Sequence, residues 1–120
     1  MLNHYFFLLS GEHLELPNAE IEAILESEQI TTGQKAALDQ VFLIETTPDG
    51  LRLIADRAAM VHGGGLHLIT TRINQSDWKT QLKAGLSEIE IPLQAGSSFA
   101  VRARRIKRSC PHIKIPDLER

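Results

Sequence analysis

With 120 residues, 42% of them hydrophobic and 23% charged, the chain has the composition of one ordinary globular domain or two very small ones, and not of a disordered, fibrous or membrane-embedded protein. Its longest apolar runs, Tyr5–Leu9 and Val41–Ile44, fall far short of the roughly 20 residues a membrane helix requires, and the first ten residues carry no Lys or Arg to head a secretory signal, so a soluble, cytoplasmic protein is expected. The net charge of −2 conceals a split: residues 1–74 hold ten acids and four bases, a net of −6, and the remainder five acids and nine bases, a net of +4.

Tyr-Phe-Phe-Leu-Leu-Ser at 5–10 reads as a strand, and its lack of alternation predicts burial on both faces. After Pro17, the spacing of Ile21, Ile24, Leu25 and Ile30, with Glu20, Glu22, Glu26 and Glu28 mostly between them, predicts an amphipathic helix whose first turn accepts the proline. Thr31–Lys35 reads as a turn, and Ala36–Leu38 as the start of a strand that returns through Asp39-Gln40 into the strand Val41–Thr46. Thr47-Pro48-Asp49 places a capping hydroxyl, a proline and a carboxylate in the order that starts a helix, here ending near Met60. Gly63-Gly64-Gly65 reads as a turn and Leu66–Ile73 as a strand.

The resulting order, strand, helix, strand, strand, helix, strand, is that of an α+β, ferredoxin-like split βαβ unit, with two helices on one face of an antiparallel sheet. From Ser76, read as a cap, Trp78, Leu82, Leu86 and Ile89 predict a further helix interrupted by Gly85. Phe99–Arg104 alternates, which places Phe99, Val101 and Ala103 inward and Arg102 and Arg104 outward on a strand that ends or bulges near Arg105-Ile106.

Five bases within seven positions, Arg102, Arg104, Arg105, Lys107 and Arg108, with Lys114 nearby, are the footprint of a phosphate-rich partner. Arginines on a surface strand hold phosphates in a forked grip, so backbone and shape recognition of RNA fits them better than base reading. The bland alternative is a solvated or protected strand edge. Other chemistry is harder to build. Among His4, His13, His62, His67 and His112 no two share the spacing of a helical metal pair, so no metal site is expected. Cys110 has no second cysteine, and beside His112 it lacks an orienting group and an oxyanion site. The glycine triplet lacks the Lys-Ser/Thr ending of a phosphate loop, and no carboxylate pair suggests acid–base catalysis. No catalytic residue is expected in this chain.

Three stretches taken together, Tyr5–His13 with Leu16-Pro17 and Glu20–Glu26, then Asp39–Thr46, then Ser98–Ile106, resemble the N-terminal part of the archaeal tRNA guanine-10 N2-methyltransferases. The resemblance spans nearly the whole chain. It implies a ferredoxin-like domain over residues 1–74 and, over 75–120, the first helix and strand of a THUMP module that grips the acceptor end of tRNA. It also implies a catalytic domain using S-adenosylmethionine. Neither an Asp-Pro-Pro-Tyr type motif nor a glycine-rich methyl-donor loop occurs here, so both are expected beyond Arg120. A partial module with the Phe99 strand at an open edge favours self-association through that edge. The alternatives are a free-standing ferredoxin-like interaction or regulatory domain without RNA binding, or the docking segment of another THUMP-bearing enzyme, such as one that thiolates tRNA.

Overall fold

The computed structural model describes residues 2–11, 15–71 and 76–89, together with Gly96, Val101 and Ala103. The chain divides into two compact units, Met1–His67 and Leu68–Arg120.

The first unit is α+β: β1 (Asn3–Leu9), α1 (Leu16–Ser27), β2 (Thr32–Leu38), β3 (Val41–Thr46), α2 (Pro48–Arg57) and β4 (Val61–Leu66). The four strands form one sheet in the order β2-β3-β1-β4, and every neighbouring pair is antiparallel. That order and the two helical crossovers are compatible with a ferredoxin-like class.

One face of the sheet is closed by the helices. Tyr5, Phe7 and Leu9 of β1 and Phe42 and Ile44 of β3 are buried there against Ile21 and Leu25 of α1 and Ile54 of α2. The alternate residues Phe6, Leu8, Val41 and Leu43 are only half-buried. Burial of β1 on both faces is therefore corrected: its unbroken apolar run covers one closed face and one open one.

Local sequence explains most boundaries. Pro17 sits in the first turn of α1, where its missing N–H costs no hydrogen bond. Past the C-terminus of α1, Gln29 takes a left-handed φ of 55°, which returns the Ile30 N–H to the Leu25 carbonyl at 2.9 Å. The Thr47 hydroxyl accepts the Gly50 N–H at 3.2 Å, with Pro48 and Asp49 in the first turn, as the sequence predicts for α2.

Four sequence expectations are overturned here. The turn predicted at 31–35 is most of β2: its register with β3 slips between Thr32 and Lys35, and the Gln34 N–H donates instead to Glu45 Oε1 at 3.2 Å. The helix expected to reach Met60 ends at Arg57, because the Ala59 and Met60 N–H groups turn to the Glu20 carboxylate, each at 3.0 Å. The glycine triplet is no turn but the middle of β4, paired with Phe6, Phe7 and Leu8. At Gly64 a β-carbon would lie 2.7 Å from both Phe6 O and Phe7 Cδ1, so the strand beside this aromatic pair must lack a side chain at that position. Accordingly β4 ends at Leu66 and 67–71 of the strand predicted over 66–73 lie in no strand, 72–73 being outside the described residues, although the His67 N–H still donates to His4 O at 2.9 Å.

In the second unit, α3 (Trp78–Ser87) forms where the Trp78, Leu82 and Leu86 spacing predicts a helix. Asp77, not Ser76, precedes its first turn, and no side chain caps it. Gly85 has a packing reason: a β-carbon there would stand 2.8 Å from Ile69 Cδ1. Val101, expected inward on a strand, is 44% exposed, and neither it nor Ala103 lies in a strand. Among the described residues, no helix is long and apolar enough to cross a membrane.

Candidate functional site

The residues expected to hold phosphate, Arg102, Arg104, Arg105, Lys107, Arg108 and Lys114, lie outside the described residues, as do His13, Cys110 and His112. The geometry available to function is therefore that of the Met1–His67 sheet.

Its open face is built by alternation and register. Because Tyr5, Phe7, Phe42, Ile44 and Thr46 point to the helices, their neighbours along β1 and β3 point away from them. Cross-strand pairing then sorts these outward residues into rows. Leu38, Val41, Leu8 and Gly63 stand side by side across the sheet, and Ala36, Leu43, Phe6 and Gly65 form the next row. Glu45 and His4 face each other in the third, with His67 adjoining.

The third row is the polar end. His4 and His67 meet edge to face with ring centroids 6.4 Å apart, and His4 Nε2 lies 3.9 Å from Glu45 Oε2. A shallow depression beside them is bounded by Gln34, Ala36 and Leu43. Two histidines separated by the whole unit become neighbours only through the β1–β4 ladder, so sequence spacing carried no sign of it. Among the described residues, no group of three or more His, Cys, Asp or Glu side chains is placed to hold a metal ion. His62 stands apart, at the irregularity where the β1–β4 register shifts.

Charge is distributed unevenly about this sheet. Glu20, Glu22, Glu26, Asp49 and Asp56 belong to α1 and α2, on the closed side. Lys35 lies opposite buried Ile44 and reaches Glu22 of α1 at 3.4 Å, so it too belongs to the helical side. Among the described residues the open face of the sheet thus carries no Lys or Arg, and Glu45 is its acid. What it can do chemically is bury apolar surface against another flat apolar surface, with a histidine–carboxylate pair at one end to fix orientation.

In comparison with known proteins, no family, no curated protein and no solved structure matches the chain.

Proposed function

We propose that this chain is the N-terminal, tRNA-binding and scaffolding segment of an S-adenosylmethionine-dependent tRNA guanine N2-methyltransferase. A ferredoxin-like domain would lead into a THUMP-like module that positions the acceptor end of tRNA for a catalytic domain elsewhere in the parent protein. The resemblance of Tyr5–His13 with Leu16-Pro17 and Glu20–Glu26, of Asp39–Thr46 and of Ser98–Ile106 to that family supports this reading, as does a sheet whose strand order suits the ferredoxin-like class.

One observation carries it: the sign of the charge changes where the fold divides. Met1–His67 holds ten acids and three bases, a net of −7, and Leu68–Arg120 holds five acids and ten bases, a net of +5, together the chain's −2. A compact unit that concentrates cations within an acidic protein raises local positive potential where a polyanion docks, while the acidic unit repels non-specific contact. In this reading Arg102, Arg104, Arg105, Lys107, Arg108 and Lys114 grip phosphates and set register without reading bases.

The test is a tRNA titration of the 120-residue chain across a salt series. Affinity should fall steeply with salt, and an Arg104→Ala, Arg105→Ala double variant should bind more weakly with a log–log slope shallower by roughly 1.5–2, one increment for each lost phosphate contact. Unchanged affinity and slope in that variant would remove the basic cluster from recognition. A ferredoxin-like interaction domain without RNA binding is favoured by one feature, the apolar open face, and absence of tRNA binding at low salt would decide for it.

A further inference from the structure

The open face of the Met1–His67 sheet is self-complementary under one symmetry operation. In its first row the β2 end is raised, with Leu38 51% exposed, and the β4 end is hollow, since a β-carbon at Gly63 would meet nothing within 4 Å. At the β4 end of the second row the Phe6 ring leans over Gly65, where a β-carbon would stand 3.4 Å from Phe6 Cε1. The first row therefore descends from a side chain on β2 to bare backbone on β4.

We propose that this face docks on the same face of a second copy of the chain, about a two-fold axis parallel to the strands. That axis lays β2 of one copy over β4 of its partner and β3 over β1, and it maps every row onto itself reversed. Leu38 then enters the trough at the partner's Gly63, Val41 meets the partner's Leu8, and Leu43 meets the partner's Phe6. Glu45 comes to lie across from the partner's His4, so opposite polarities meet at the polar end. The other two-fold available to stacked sheets, perpendicular to the strands, would bury Glu45 and His4 beneath Val41 and Leu8 with no polar group of the partner to meet them, which is costly. The favoured axis is compatible with ordinary aligned sheet stacking, about 10 Å apart and about 30° askew.

Other occupants fit less well. A polyanion finds no Lys or Arg among the described residues of this face, and Glu45 stands in its way. Pairing through the sheet edges is opposed at both sides: β2 carries Lys35 and a register slip, and β4 carries three glycines and a bulge, devices that blunt an edge. Stacking face to face also puts the acidic helices of the two copies on the outer sides of the pair, as far apart as the fold allows. Four strands about 4.8 Å apart and three rows about 7 Å apart give a footprint of roughly 400 Å² per copy, half the usual interface, so the dimer is weak and concentration-dependent. None of the residues that form this face belongs to the basic cluster, and its test contains no RNA.

Sedimentation equilibrium of the full chain is the measurement. The weight-average mass should rise from 13.4 kDa towards twice that as concentration increases from about 5 μM to about 1 mM. Gly63→Leu, which fills the trough where the structure has space, and Leu38→Gly, which removes the knob, should each weaken association at least about tenfold while circular dichroism melts show the fold retained. Combining the two exchanges knob and hollow, and should restore association. A chain that remains at 13.4 kDa throughout overturns the proposal, as does self-association that neither single substitution alters. A monomer whose tRNA affinity falls with Leu38→Gly would also overturn it, giving the face to RNA.

Discussion

At Gly64 a β-carbon would stand 2.7 Å from Phe6 O and from Phe7 Cδ1, whereas one residue earlier, at Gly63, it would have open space. Chemically identical substitutions at these neighbours should therefore have opposite signs. Gly63→Ala reduces the freedom of the unfolded chain without a clash and should stabilise by about 0.4–1 kcal/mol. Gly64→Ala forces the β1–β4 ladder apart or displaces a fully packed ring, and should destabilise by about 1–3 kcal/mol. Urea midpoints of the two variants check this, and equal effects would mean the triplet is only a flexible link. The same logic governs Gly50, whose β-carbon would lie 2.6 Å from Thr46 Oγ1, the buried hydroxyl that donates to the Thr31 carbonyl at 2.9 Å. Neither requirement could be read along the chain. Three glycines in a row suggest a turn because glycine lacks strand propensity, and what requires glycine at 64, the Phe6 carbonyl and the Phe7 ring, lies on another strand.

Among the described residues, Glu20 ties α1 to the segment that leads into β4. Its two carboxylate oxygens accept the Ala59 and Met60 N–H groups, each at 3.0 Å, and so end α2 and turn the chain into the edge strand. Removing a charged acceptor from two backbone donors costs more than losing an exposed ion pair. Glu20→Ala should accordingly destabilise by about 1–3 kcal/mol, whereas Glu28→Ala, which loses only the half-exposed 3.1 Å pair with Arg57, should cost well under about 1 kcal/mol. Thermal melts of the two variants at matched concentration test the ranking, and an equal loss would make Glu20 a surface charge. Where local chemistry sets a boundary, as with Thr47-Pro48-Asp49, the sequence is sufficient. Where a distant carboxylate sets it, the helix ends three residues before periodicity suggests, since Ala58 and Ala59 have no preference strong enough to resist. β2 was half legible for a related reason. Its alternation is interrupted by the slip at Gly33 and Gln34, which only the Glu45 side chain opposite them accounts for.

For the whole molecule, the strand and helix order was legible because each crossover carries a periodic helix between apolar strands, and that order leaves few sheet topologies open. The open face was not legible, because Phe6 and Leu8 sit in an apolar run that looks the same whether one face of the strand or both are covered. The charge split was visible in the sequence, and the structure adds that it coincides with a division between compact units. That coincidence has a consequence for a chain ending at His67. All the buried hydrophobic residues among those described, Tyr5 through Ile54, fall inside Met1–His67, and so does the whole described sheet. A domain of that size buries only about 60% of its unfolded surface and is marginal, yet the core residues among those described all lie within it. Residues 1–67 should therefore melt cooperatively, retain the weak self-association of the full chain, and show no tRNA binding at low salt, having lost every base of the cluster and kept a net charge of −7. Circular dichroism melting, sedimentation and a tRNA titration of that fragment read the three properties separately. A fragment that fails to fold would make the second unit part of the first unit's stability, and one that binds tRNA as well as the full chain would move recognition from the basic cluster to the sheet.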